Sequence, residues 1–309
     1  MLLTLAVGLA PAWAATACEP ARAPLDAPLA LVLTGGGAKG AWEAGAAAAL
    51  VERGAPVRLV AGSSAGALTA AMLADGRLDR LEALWKTVTR EQVYALRPGV
   101  LFAGLLPGWL TLVALNGAGS LLDPAPLREL IAGSVDLDRV RASPTRLLVV
   151  TADLTHRTAR LFDNATVTVD ALMATSAVPG AFPPVAVDGG VLVDGGLIAR
   201  APVLEALAAG VPLGRALVLL SYAADEPGQA PSNLRRTLEE AFEMAMLHQI
   251  RRDTELARFR HPEVEIQVLA PATPLRLRPL DLDPTRMAEA FARGRADALA
   301  CWERWQPSR

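Results

Sequence analysis

Short, wholly apolar runs alternate along this chain with longer alanine-rich or amphipathic stretches. Leu29-Ala30-Leu31-Val32-Leu33 is unbroken apolar sequence and reads as a buried strand. A glycine-rich loop from Gly35 to Gly40 follows, then a helix to about Arg53, a second strand over 57–61, and a second helix from Ser64 to about Asp75. That order predicts the opening of a parallel α/β sheet. Further on, 78–94 reads as helical, 124–131 as the start of a helix, 146–151 as a strand, 160–169 as one or two strands and 171–177 as a short helix. Val185 to Val193 predicts a hairpin that turns at Asp188-Gly189. A helix over 201–209, a strand over 216–221, a long helix over 233–260, a strand over 264–269 and a closing helix over 285–305 complete the pattern. The expectation is one α/β domain over 29–309, with a parallel-rich central sheet flanked by helices on both faces.

Two apolar segments fall outside this alternation. Residues 98–115 carry Phe102, Trp109 and many Leu and Val, but Gly99, Gly104, Pro107 and Gly108 interrupt them, so they are too short and too broken to read as a membrane span. Two readings stay open there: a lid that meets lipid through Trp109, or helices buried over the sheet. Residues 1–17 read as an export signal, with an apolar run from Leu2 to Ala10 and an Ala12-Trp13-Ala14 cleavage pattern. Ala15-Thr16-Ala17 before Cys18 has the outline of a lipoprotein box. Export, periplasmic or secreted, is therefore expected, with a lipid anchor at Cys18 left open; a cytoplasmic protein with an apolar N-terminal tail is the alternative.

Composition removes several function classes. The chain has 309 residues, 52% of them hydrophobic, and a formal net charge of −2. No basic stripe suited to nucleic acid is present. The two cysteines, Cys18 and Cys301, form no CxxC pair and have no histidine near them in sequence, which argues against a zinc site. Their pairing in a disulfide is open at this stage.

Candidate chemistry begins at Gly35-Gly36-Gly37-Ala38-Lys39-Gly40. The run satisfies G-x-G-x-x-G, but dinucleotide binding needs an acid near the end of the second strand, and no Asp or Glu occurs between Arg53 and Ala74. A phosphate-binding P-loop fails as well, because Gly40 stands where Ser or Thr would hold magnesium. An oxyanion hole remains: glycines let several backbone N–H groups face one point beside a helix start. Gly62-Ser63-Ser64-Ala65-Gly66 matches G-x-S-x-G at a strand-to-helix junction, which makes Ser64 the candidate nucleophile and the Ala65 amide a further oxyanion donor. A serine nucleophile needs a proton acceptor. Of His156, His248 and His261, chain order would allow the last two as partners of Asp194 in a Ser-His-Asp site. His248, however, falls inside the long helix in line with Ala241 and Ala245, where a packed histidine is expected, and His261 ends that helix before Pro262.

Asp194-Gly195-Gly196 completes three motifs in order. With the glycine loop Gly35–Gly40, Gly62–Gly66, the Ser176-Ala177 to Pro184 stretch and Pro202, it makes 29–220 resemble the patatin-like phospholipases. The resemblance implies a three-layer α/β/α fold and hydrolysis of acyl esters of lipids by a Ser64–Asp194 dyad without histidine. It places Gly36, Gly37 and Lys39 in the oxyanion loop, with Gly35, Gly40, Gly62, Gly66, Gly195 and Gly196 supporting the turns. No metal or cofactor is implied; the expected partners are a lipid or acyl-ester substrate and, peripherally, a membrane surface. Acyl transfer to an alcohol other than water is the alternative within the same fold. Asp188-Gly189-Gly190 is set aside because Asp-Gly between valine-rich strands marks a turn. A free aspartate is a weak base, so a site that excludes water is expected to raise its pKa.

Overall fold

A computed structural model describes Cys18 and residues 21–97, 120–223 and 230–306. The stretch 98–115, whose role as lid or core was open, lies outside the described residues, as does the apolar segment 1–17.

The strands are β1 (Leu29–Leu33), β2 (Val57–Gly62), β3 (Ala95–Leu96), β4 (Leu122–Asp123), β5 (Arg146–Asp153), β6 (Thr158–Asp163), β7 (Val185–Val187), β8 (Gly190–Asp194), β9 (Arg215–Leu219) and β10 (Glu265–Leu269). All but the small β3–β4 pair join one sheet, in which β10, β9, β1, β2 and β5 run parallel and β6, β8 and β7 add antiparallel pairings. The α-helices are α1 (Gly40–Glu52), α2 (Ala65–Asp75), α3 (Leu78–Thr87), α4 (Arg90–Val93), α5 (Ala125–Ser134), α6 (Leu137–Ala142), α7 (Val169–Thr175), α8 (Val203–Leu207), α9 (Leu234–Arg260) and α10 (Pro284–Trp305).

The period-2 geometry of the strands divides the core in two. Leu29, Leu31 and Leu33 of β1 join Leu217 and Leu219 of β9 in one apolar cluster, with residues of α1, α2 and α10. Ala30 and Val32 join Ala216 and Val218 in the other, with residues of α8 and α9. Both faces of the sheet are thus covered, which gives the three-layer arrangement and explains why its parallel strands are apolar throughout. Helices α1 and α10 cross at very close range: a Cβ on Gly45 would stand 2.0 Å from the Phe291 carbonyl oxygen, and one on Gly294 would stand 2.0 Å from that of Trp42.

Most elements lie within a residue or two of their predicted bounds. Three differ for local reasons. The helix expected over 78–94 breaks at Val88-Thr89, where Thr89 adopts an extended conformation and opens a capping box with Gln92. One strand forms where one or two were expected over 160–169, and it stops at Asp163, whose side chain closes a turn by accepting from the amides of Ala165 and Thr166. His248 is exposed on α9, which corrects its expected burial in the helix packing.

Strand β5 has an unusual division of its two edges. β6 pairs with Leu148–Asp153 along one edge. The other edge is shared in series: β2 pairs in parallel with Arg146–Val149, and β8 pairs antiparallel with Thr151–Asp153. The C-terminal ends of β2 and β8 therefore approach each other head to head, Gly62 opposite Val149 and Asp194 opposite Thr151, with Val150 between them.

Cys18 and Cys301 form a disulfide, with Cα atoms 5.3 Å apart, that ties the segment before β1 to α10 across 283 residues of sequence. Closing so long a loop restricts the unfolded chain, and reduction is expected to lower the unfolding free energy by about 2–4 kcal/mol. Urea unfolding with and without reductant, beside the same pair of curves for Cys301→Ser, measures this. A shift on reduction of wild type that is absent in the variant assigns the effect to this bond.

Candidate active site

The G-x-S-x-G turn is built where β2 ends. Ser64 is a non-glycine residue at φ 53°, ψ −134°, a strained conformation for an L-amino acid. The flanking glycines make the turn sterically feasible: a Cβ on Gly62 would lie 2.5 Å from the Gly66 backbone, and one on Gly66 would lie 2.7 Å from the Leu33 carbonyl oxygen. The strain is held from outside the motif. The Ser64 amide donates to Thr175 Oγ1 (3.0 Å), whose hydroxyl in turn donates to the Val150 carbonyl (2.5 Å). Ser63 Oγ donates to the Arg200 carbonyl at 2.9 Å. Ser63 thereby ties the Ser64 turn to the loop that follows Asp194.

Asp194 arrives from the opposite direction. Its amide donates to the Ala177 carbonyl (3.0 Å), and its Oδ1 accepts from the Gly196 amide (2.7 Å). The chain must then turn away at once, and Gly195 permits this: a Cβ there would sit 2.0 Å from the Val150 carbonyl oxygen. Val150, in the gap between β2 and β8, thereby supports both arms of the candidate dyad. Asp194 is 1% exposed, and its Oδ2 is buried with no hydrogen-bond partner. Burial pushes its pKa up, opposed by the Arg200 guanidinium, the Gly196 amide and the Ser64 hydroxyl, all of which favour the carboxylate. The Ser64 hydroxyl thus acts on this carboxyl group, but no hydrogen bond of normal geometry joins the two in the resting site.

In the glycine loop, Gly35, Gly36 and Gly37 take φ values of 71°, 124° and 58° in succession, a path L side chains rarely follow. The Gly35 amide donates to Glu43 Oε2 (2.9 Å), Ser221 Oγ donates to the Gly35 carbonyl (2.8 Å), and the Ala38 amide donates to the Pro279 carbonyl (2.9 Å). The amides of Gly36, Gly37 and Ala65 find no acceptor among the described residues. The Lys39 ammonium stands 3.8 Å from the Tyr222 ring centroid and 3.8 Å from Glu243 Oε2, and the residue is 3% exposed. These contacts suit an anchor of the loop onto α9.

Asp188 occupies the β7–β8 turn with φ 42°, followed by Gly189 at φ 80°, and pairs with Arg160 at 2.7 Å. The two positive φ angles are those a tight hairpin demands. The histidines lie elsewhere. His156 Nδ1 bonds Asp153, His261 Nδ1 bonds Glu263, and none of the three hydrogen-bonds Ser64 or Asp194. Among the described residues no group of three or more His, Cys, Asp or Glu is arranged to hold a metal, and no helix is long and apolar enough to cross a membrane.

A family model for patatin-like phospholipases matches residues 31–207, which hold the glycine loop, Ser64 and Asp194. The chain belongs to the patatin-like phospholipase family. An uncharacterised NTE family protein of Mycobacterium tuberculosis, and its counterpart in Mycobacterium bovis, are each 32% identical over 175 residues, covering 56% of this chain and 44% of the relative. The match thus spans less than half the length of those relatives. Solved structures with a similar course include VipD from Legionella pneumophila (16% identity, 91% of this chain and 67% of that one, TM-score 0.41) and the ExoU–SpcU complex of Pseudomonas aeruginosa (20% identity, 93% and 53%, TM-score 0.39).

Three residues around the candidate site gave no sequence signal: Thr175, Arg200 and Glu43. Glu43 is completely buried in α1, accepts from Thr34 Oγ1 (2.6 Å) and the Gly35 amide, and has its pKa raised by burial to about 7. The folded state therefore holds a proton that the unfolded state releases near its ordinary carboxylate pKa. Stability from this group is full below pH 4.5 and is lost as pH rises toward 7. Glu43→Gln is expected to remove that decline, so that variant minus wild-type unfolding free energy rises from pH 4.5 to pH 7 and is flat above it. Urea unfolding of both proteins across pH 4–9 checks the sign. Gly195→Ala should abolish activity and destabilise the fold by several kcal/mol, of the size typical of a forced steric clash, as measured by urea unfolding and esterase assay.

Proposed function

We propose that this patatin-like protein is a serine acyl hydrolase acting on lipid esters, with Ser64 as nucleophile and Asp194 as its base. The observation that carries the reading is the pairing of a strained serine turn with a buried carboxyl group whose Oδ2 is unpartnered, at the point where two strands meet. Ser64 Oγ attacks the ester carbonyl and its proton passes to Asp194. The carbonyl oxygen becomes anionic and is received by the free amides of Gly36, Gly37 and Ala65. Asp194 then returns the proton to the departing alcohol, and water releases the acyl group by the same steps in reverse order. The raised pKa of Asp194 favours this role, since it makes the carboxylate a stronger base than a solvated aspartate.

The proposal includes export. A disulfide between Cys18 and Cys301 suits an oxidising compartment. Its formation also removes Cys18 from thioether lipidation, so in this reading the protein is exported without a lipid on that residue.

Fluorophosphonate labelling and nitrophenyl-ester hydrolysis test the dyad. Ser64→Ala and Asp194→Asn should each lose about 10³-fold or more of the turnover, within the range for removing a nucleophile or its base. His248→Ala should retain wild-type activity. A folded His248→Ala protein without activity would sink the reading.

A further inference from the structure

Arg200 follows the Asp194-Gly195-Gly196 motif by four residues and is 6% exposed. Its Nε is buried without a hydrogen-bond partner. A guanidinium taken out of water with so little hydrogen bonding is costly unless opposite charge lies close. The backbone of Arg200 is fixed on both sides: its amide donates to Gln249 Oε1 of α9 (3.0 Å), and its carbonyl accepts from Ser63 Oγ (2.9 Å). Its side chain returns to the site. A Cβ placed on Gly196 would meet Asp194 Oδ1 at 2.9 Å and Arg200 Nη1 at 3.1 Å, so the carboxylate and the guanidinium pack against the same face of that glycine. A Cβ on Gly36 would meet Arg200 Nη2 at 3.3 Å, which puts the other end of the guanidinium beside the glycine loop.

We propose that Arg200 is a positioning residue for catalysis: its buried guanidinium, packed between Gly36 and Gly196, is the counter-charge that holds Asp194 as an ionised base inside a buried site. The inference rests on the Ser64–Asp194 reading and deepens it. The charged groups around Arg200 are Asp194 at the end of β8, Glu43 on α1 and, at the Gly36 turn, Lys39, whose ammonium is engaged by Tyr222 and by Glu243 of α9. Arg200 is the foremost influence favouring the charged form of Asp194, ahead of the Gly196 amide and the Ser64 hydroxyl. It also favours the charged form of Glu43, more weakly than the hydrogen bonds there.

The sign of the effect follows. Without the guanidinium, Asp194 takes up its proton at higher pH, and the acidic limb of activity moves upward. The test is the pH dependence of second-order fluorophosphonate labelling of Ser64, run in full-length wild type, Arg200→Gln, Arg200→Met and Arg200→Lys. Each is made also with Glu43→Gln, so that titration of Glu43 drops out. The glutamine and methionine variants should lose about tenfold or more at pH 6 and regain most of it by pH 9, the effect of removing a nearby opposite charge. Arg200→Lys, which keeps the charge, should follow wild type, and this rescue separates an electrostatic role from a packing one. Having two neutral variants keeps the test open if one does not fold. A limb that stays in place in both, or an equal loss at every pH, overturns the proposal. Asp194→Asn in the same assay separates the two levels: labelling at the wild-type rate overturns the dyad itself, whereas a dead Asp194→Asn beside an unmoved limb overturns Arg200 alone.

Discussion

The candidate site depends on one edge of one strand. β5 is long enough for two partners in series, and β2 and β8 use it from opposite directions, so that both chains must leave the sheet around Val150. Neither can continue, since each blocks the other, and each therefore turns sharply. Those forced exits are the Ser64 turn and the Gly195-Gly196 turn. A sheet interior is well suited to this task because hydrogen-bond register fixes strand ends to fractions of an ångström, which loops alone do not do. The carbonyl of Val150 takes up the consequence on both sides, accepting from Thr175 above Ser64 and lying against Gly195 below Asp194.

Burial then sets the electrostatics. Two carboxyl groups, Glu43 and Asp194, lie buried between the layers of this fold, and burial raises the pKa of each. They are treated differently by their neighbours. Glu43 spends its oxygens on Thr34 and Gly35 and so shapes the glycine loop from beneath. Asp194 gives Oδ1 to the Gly196 amide and keeps Oδ2 buried without a partner. The same physical effect thus acts twice, on a carboxyl group that fixes a loop and on the one proposed as the base.

Local patterns made much of this legible in the sequence. Apolar runs of four to six residues marked the buried parallel strands, and Asp-Gly between valines marked the β7–β8 turn, which is why Asp188 could be told from Asp194. The G-x-S-x-G letters carried the steric requirement of the turn itself. What stayed hidden depends on partners far away in sequence. Thr175 bonds Ser64 across 111 positions, and Arg200 receives Ser63 across 137. Neither residue type nor spacing signals such contacts. His248 was misread for a related reason: alanines in line with it suggested packing, but that side of α9 carries exposed Ala241 and Ala245 as well. Alanine marks a helix face as small, not as buried.

The glycine loop shows how the pieces combine. Three amides able to meet an oxyanion are useful only if they already point at one place, because reorganising them during the reaction would cost the energy they are meant to supply. Here the loop is tied at Gly35 by Glu43 and Ser221 and at Ala38 by Pro279, while Lys39 reaches away to Tyr222 and Glu243. Its shape is therefore held by groups outside the oxyanion space, and the charge of Lys39 acts on α9. The positive charge beside Gly36 is instead that of Arg200, whose Nη2 a Cβ on that glycine would meet at 3.3 Å. The division follows from reach: a lysine at the loop's end can extend to a distant helix, whereas an arginine anchored through its own backbone to Ser63 and Gln249 is confined to the site.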